Sequence, residues 1–428
     1  MPSAVCEWVA GTTICLGLAG LIGLLPGDLP TDSLLGKESL SAEKILLKCD
    51  ETESDPSRSD QSELTRDKGL SPLGIELQKR SEVLPFVQLS EGARGFVLAG
   101  TSQSFRPWGF NYDHDERGRL LEDYWESEWA KVEEDFAEMK ALGANCVRVH
   151  LQFGQFMEAI DKPNSKALRQ LERLLRLAEQ QGLYLDLTGL GCYHKKDVPA
   201  WYDALDEAGR WQAQARFWTA VAERAAHSPA VFCYDLMNEP VVPGGKREAG
   251  DWLPPPFGDK HFVQFITLDQ GQRTRPEIAR AWIRQLVQAI RRVDRRHLIT
   301  VGLVDWSLDR PGLTSGFVPE KIVAELDLIA VHIYPHKGKV NEALETLRGF
   351  AVGKPVVIEE SFPLWCTAEE LEKFVEQSQR WASGWFFFYW GRTPEQLQRD
   401  KDISSALQRA WLERFRKLAP NYATPWRP

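Results

Sequence analysis

Val231-Phe232-Cys233-Tyr234-Asp235-Leu236-Met237-Asn238-Glu239-Pro240 is the stretch on which the reading of the fold turns. Its first four residues are apolar or aromatic and follow a helical pattern, which predicts a buried strand. Pro240 stops that strand, because proline lacks the N–H that a continuing ladder needs. The chain thus presents a carboxylic acid, with an amide beside it, at a strand's C-terminal end. Barrel enzymes place their chemistry there. A lone Asn-Glu-Pro tripeptide is more often a simple turn, so a second feature has to decide. Lys354-Pro355-Val356-Val357-Ile358-Glu359-Glu360 supplies it: another apolar strand that ends in carboxylates.

Working outward, the same alternation of helix and strand repeats on both sides. Upstream, Trp218, Val221, Ala222 and Ala225 form the helical face that leads into the quoted strand. Leu168, Leu171, Leu174, Leu175 and Ala178 precede the strand Leu183 to Leu187 in the same way. Trp129, Val132, Phe136 and Met139 precede Asn145 to Val149, and Trp108 to Tyr112 is the first strand. Downstream, residues 241–275 break the rhythm with Pro254-Pro255-Pro256 and read as a long loop walling the cleft, with Trp252, Phe257 and His261 as contacts. Trp282, Leu286 and Ala289 resume it before the strand His297 to Val301. Short helices near 320–325 and 340–350 precede Leu328 to Val331 and Pro355 to Ile358. Thr367 and Glu370 form a capping box for the next helix. The strand Trp385 to Tyr389 and a helix with Leu407, Trp411 and Phe415 complete the series. Eight strands, each followed by a helix, predict a closed (β/α)8 TIM barrel, an α/β fold, over residues 86–420. A doubly wound open sheet is the alternative, but no glycine-rich phosphate loop follows any strand.

Composition agrees with one large packed domain: 43% of residues are hydrophobic and 16 are Trp, enough for an extensive core. A net charge of −9 argues against nucleic acid as a partner, since phosphate binding needs basic patches. The seven Cys form no CxxC pair and no disulfide framework, and Cys146 and Cys233 read as small buried hydrophobes. Residues 1–27 hold the apolar stretch Trp8 to Leu25, read as an uncleaved anchor or an atypical export signal. That predicts an exported chain, secreted or attached to a membrane through residues 8–25. Residues 28–85 are charged and Ser-rich, a disordered tether, and 421–428 form a tail.

Two acids carried by separate strand ends are what cleavage of a glycosidic bond requires. Other candidates sort themselves around Glu239 and Glu360. Arg148 lies between Val147 and Val149, and a guanidinium in an apolar strand is costly unless a carboxylate meets it. The strand-seven acid is the predicted partner, against the plainer reading of a surface-edge arginine. His332 and Tyr334 share one face of strand six and can orient the acids, or else merely fill the barrel. Trp390 closes strand eight with a flat face suited to a sugar ring, or to core packing.

This set resembles glycoside hydrolase family 5 and its clan of retaining (β/α)8 β-glycanases, over the whole of 86–420. The resemblance rests on Arg148, Asn238-Glu239-Pro240, His332-Ile333-Tyr334, Glu360 in KPVVIEES and Trp390, in that order. It implies Glu239 as general acid/base and Glu360 as nucleophile. It further implies Asn238 on the sugar 2-OH, Tyr334 and Arg148 flanking the nucleophile, and Trp390 under the reacting sugar. Two departures stand out. The strand-seven acid is followed by Ser361-Phe362 where the family has Phe-Gly, and Glu359 stands beside it; strand alternation lets only one of the two face the cleft. Strand three ends without the family's His, a place that His194 or His150 can take. No histidine spacing suggests a metal, and no cofactor is expected. Trp306, with Trp108, Trp201, Trp252 and Trp365, is a candidate stacking platform in a loop. The expectation is a monomeric enzyme acting on a β-linked glycan, of endo-β-1,4-mannanase or endo-β-1,4-glucanase type, with exo action as a variant. A catalytically silent carbohydrate-binding barrel and a transglycosylase are the alternatives.

Overall fold

The computed structural model describes residues 84–423. The apolar segment 8–25, most of the tether and residues 424–428 lie outside the described residues. Among the described residues no helix is long and apolar enough to cross a membrane.

Eight staves build the central sheet: β1 (Trp108–Tyr112), β2 (Cys146–Gln152), β3 (Tyr184–Gly191), β4 (Val231–Asp235), β5, β6 (Ile329–His332), β7 (Val356–Glu360) and β8 (Ala382–Phe388). β5 is split at Val301 into Leu298–Thr300 and Gly302–Val304. The first half pairs with β4 and the second with β6, and β8 pairs with β1, all in parallel. The split strand therefore closes the ring, and the barrel reading holds over the open sheet. The principal helices are α1 (Trp129–Ala141), α2 (Ser165–Gln181), α3 (Glu207–Ala225), α4 (Arg275–Arg291), α5 (Pro319–Ile322), α6 (Val340–Gly349), α7 (Ala368–Ser378) and α8 (Ile403–Tyr422). α1 to α4 bury the apolar stripes that marked them in the sequence; α2, for instance, turns Leu168, Leu171, Leu174, Leu175 and Ala178 inward.

Local chemistry fixes the element ends. Thr367 accepts from Glu370 N while Glu370 accepts from Thr367 N, the reciprocal cap predicted for α7. An identical exchange between Thr274 and Glu277 starts α4. A three-stranded antiparallel sheet (Val87–Leu89, Phe96–Leu98, Ser104–Phe105) precedes the barrel. Phe96 meets Phe232 edge-on at 5.1 Å and Phe105 meets Tyr184 at 4.7 Å, both near strand N-terminal ends. This sheet thus covers the end of the barrel opposite the acids. Cys146 and Cys233 are buried and unpaired.

The loop expected over 241–275 has structure of its own. Pro240–Val241 pairs in parallel with Gln264–Phe265. Trp252, expected to face the cleft, is fully buried and donates to Asp203. His261 is tied down by Pro254 O and Tyr193 O instead of standing free. The triple proline leaves its backbone carbonyls, not its ladder, to make such contacts.

Candidate active site

Arg148 is the hub. It sits inside β2, opposite Asn111 of β1 and Asp186 of β3, so its side chain enters the barrel interior. Burial opposes its charge, but Glu359, Asp235 and Glu360 hold it protonated. One terminal nitrogen donates to Glu360 Oε1 at 2.6 Å and to Asn111 Oδ1 at 3.0 Å. The other donates to Asp235 Oδ2 at 2.8 Å and to Asn238 Oδ1 at 2.9 Å, with Glu359 Oε2 3.4 Å away. A guanidinium with its two ends divided among four acceptors fixes the orientation of two strand ends at once.

Both neighbouring acids of β7 reach this cluster, which corrects the expectation that alternation would turn Glu359 away. The cause is a bulge: Val331 faces Ile358, but the next residue of β6, His332, faces Glu360, so Glu359 is an extra residue. An inserted residue bends the strand and re-aims its side chains. Glu359 lies deeper, receiving His332 Nε2 at 3.2 Å. Glu360 stands nearer the mouth, where Tyr334 donates to its Oε2 at 2.7 Å. Burial raises the Glu360 carboxyl and the Glu239 charge adds to this; His332 and Arg148 offset the rise only in part. Glu359 is also penalised by burial, yet Arg148 and His332 outweigh that and lower it.

His332 joins the two halves. Its Nδ1 is 2.9 Å from Glu239 Oε1 and 3.5 Å from Glu360 Oε2. Burial disfavours its charge, but Glu360, Glu239 and Glu359 together push its pKa up to about 10. Donor atoms of Glu239, His332 and Glu360 lie within 4.8 Å of one another, the spacing of a cation site. An imidazolium has no lone pair to offer a metal, so this trio fits a proton relay better. Glu239 itself has left-handed backbone, φ 47°. Its N–H is held by Gly302 O at 3.2 Å, across the break in β5. Gly302 leaves little room for a side chain: a Cβ there would sit 3.1 Å from both Glu359 Oε2 and His332 Nε2, which would have to give way.

The remaining expected residues are dispersed. Asn238 is buried, receives Arg148 and donates to Phe262 O at 3.0 Å. Trp390 donates to Asp113 Oδ1 at 3.1 Å, and its ring runs nearly parallel to His114. His150 lies within β2, not after it, and bonds the Tyr193 hydroxyl beyond β3. His194 is not brought to the acids; half-buried, it lines a separate water-sized cavity with Glu122 and Gln152. Trp306 is likewise no platform: it is 5% exposed and packs with Val241, Val263, Phe265 and Val304. Trp108 is core too, stacked on Phe415 at 4.8 Å. Asn111, Asp186 and Asp235 were missed by the sequence reading, although each is a polar residue inside an apolar strand.

A closed parallel barrel with paired, buried acids at the mouths of β4 and β7 defines the class, a (β/α)8 barrel of the glycoside hydrolase type. Comparison with known proteins narrows this. Residues 101–382 match the family described as Cellulase (glycosyl hydrolase family 5), and the chain belongs to that family. It is 25% identical over 259 residues to a mannan endo-1,4-β-mannosidase A from Podospora anserina, covering 52% of this chain and 60% of that relative. Among solved structures, an exo-β-1,4-mannosidase from Opitutaceae bacterium strain TAV5 superposes with a TM-score of 0.57 at 17% identity, over 78% of this chain and 62% of that one. A β-1,4-mannanase from the sea hare Aplysia kurodai gives 0.54 at 15% identity, over 80% and 99%. At such identities the structural likeness speaks for the fold.

Proposed function

We propose that this chain hydrolyses β-mannosidic bonds of a β-1,4-linked glycan with retention of configuration. The observation that carries the reading is the approach of Glu239 and Glu360, oxygen to oxygen within 4.8 Å. Retaining glycosidases hold their carboxyl groups about 5–5.5 Å apart, and inverting ones leave room for a water at about 6.5–9.5 Å. Mannan is preferred over glucan because the relatives named above are mannanases and a mannosidase.

Charge assigns the roles. Burial, then Glu359 and Asp235, push the Asp186 carboxyl well above the carboxylate range, which favours its neutral form. With the catalytic proton on Glu239, the buried cluster has three anions (Asp235, Glu359, Glu360) against Arg148 and His332. The surplus negative charge faces the anomeric carbon, where positive charge develops in the transition state. Glu360 attacks that carbon as Glu239 gives its proton to the departing glycosidic oxygen. The new ester consumes the Glu360 charge, and Glu239, now anionic, takes a proton from the incoming water. Water's oxygen attacks from the face that the leaving group vacated, opposite Glu360, and expels that carboxylate, restoring both groups with net retention.

Release of an aryl leaving group from an aryl β-mannoside, compared between wild type and Glu360→Ala, tests the reading. Hydrolysis well above the mutant background is expected. Binding of manno-oligosaccharide without turnover would favour the silent-barrel alternative.

A further inference from the structure

The two halves of the barrel mouth differ. On one side the segment after β4 crosses above β3 and docks on it. Gln264 Nε2 donates to Leu190 O at 2.6 Å and His261 N donates to Tyr193 O at 2.8 Å. Its tip then reaches the loop after β1: a Cβ on Gly118 would lie 3.4 Å from Lys260 Nζ. That lysine side chain is 1% exposed and pairs with Asp259 at 2.9 Å. A lysine tip is seldom buried unless the surrounding chain encloses it. Together with Trp390, bonded to Asp113, these contacts join the ends of β8, β1, β3 and β4 into a continuous wall. The other side is open. A cavity of about 680 Å³ lies there, lined by Asp305, Arg310, Tyr334, His336, Glu342 and Thr346.

Which half receives which part of the substrate follows from the acids. Tyr334 belongs both to the open cavity and to Glu360. Asp305, also in that cavity, lies close enough to feel the charge of Glu239. The group that takes the proton of Glu239 therefore leaves through the open half, and the sugar under attack occupies the walled half. Two buried polar atoms on the walled side make no hydrogen bond: Asp113 Oδ2, with His114 Nε2 3.8 Å away, and His150 Nε2. Unpaired polar atoms in a buried site are costly until something pairs them, and sugar hydroxyls do so.

Building on the hydrolase reading above, we propose that the enzyme is exo-acting: it removes one sugar at a time from the non-reducing end, because the wall of Asp113, Gly118 and Lys260 leaves no path for a chain beyond the reacting sugar. Asp113 and His150 bind hydroxyls of that terminal sugar.

The test is the early product pattern from mannohexaose with a fluorescent tag on its reducing end, with an aryl β-mannoside and tagged cellohexaose in parallel. Free mannose and tagged pentaose should appear first, followed by stepwise shortening. Free di- or trisaccharide at low conversion would overturn the exo mode while leaving the hydrolase reading intact. Failure to cleave any of the three substrates would remove both. For Asp113→Ala, KM should rise by a similar factor, about tenfold, for the aryl mannoside and the hexaose, since each puts the same terminal sugar there. A loss that grows with chain length would place Asp113 in a distal subsite and contradict the pocket.

Discussion

The ends of β4 and β7 each present a glutamate to the same anomeric carbon, but they hold it in opposite ways. Glu360 continues an extended strand and is gripped by Arg148 of β2 and by Tyr334 just beyond β6. Glu239 sits past the end of its strand in left-handed backbone, with His332 2.9 Å from its Oε1. A nucleophile gains from being held still and ionised, whereas an acid that must also act as a base gains from fewer donors. The two ends therefore call for different responses to mutation.

Removing each acid gives the largest expected effect. Glu360→Ala should lower kcat/KM by roughly 10⁴-fold or more for every leaving group, because no covalent intermediate can form. Glu239→Ala should cost on the order of 10²–10⁴-fold with an alkyl or sugar leaving group and far less with a dinitrophenyl one, which needs no proton. Azide added to each variant sharpens the contrast. It should restore turnover to Glu360→Ala with an α-glycosyl azide as product, and to Glu239→Ala with a β-glycosyl azide. The same anomer from both would mean that the assigned roles are wrong.

Glu359 is the link between the two ends, and its removal tests whether they are coupled. In Glu359→Gln, His332 and Arg148 lose a partner while both reacting acids remain. Roughly a tenfold fall in kcat/KM is expected, about 1.4 kcal/mol. The His332 titration, followed by NMR, should drop below its value of about 10. That value also sets a stability window. His332 binds its proton more tightly folded than unfolded, so its contribution is complete below pH ~6.5 and is lost as pH rises toward 10. Thermal unfolding of the wild type should therefore show falling stability across that window. The same slope in His332→Gln would show that another group is responsible.

The same contrast explains what could be read from the sequence. The barrel was legible because helical and strand periods alternate without ambiguity, and the eight staves follow from Trp108 to Tyr389. Arg148 was legible by one criterion, a charge in an apolar strand. Asp186 in LYLDL and Asp235 in VFCYD satisfy that criterion equally and complete the charged layer. What could not be read was anything depending on register. The bulge that turns Glu359 toward Arg148 is a relation between β6 and β7 that neither segment states alone. For the same reason the break in β5, which puts Gly302 under the His332–Glu359 contact, looked like an ordinary end of a strand at Val301. Trp306 and His194 failed as site residues because a loop position gives no direction for its side chain.

The smallest expected effect is the most direct probe of how the backbone differs at the two ends. Left-handed backbone costs a residue with a Cβ roughly 1–2 kcal/mol, and glycine escapes that cost. At Glu239, with φ 47°, Glu239→Gly should therefore be more stable than Glu239→Ala, by about 1 kcal/mol after the greater unfolded-state freedom of glycine is counted. At Glu360 the strand is extended, and the order should reverse, with Glu360→Gly less stable than Glu360→Ala by about 0.5–1 kcal/mol. Because each comparison uses two inactive variants of one position, loss of the carboxylate cancels and only the backbone term remains. Urea melts of the four proteins measure it. If both positions prefer alanine, the strain at the acid is not real, and its geometry must be held by Gly302 and Pro240 without cost.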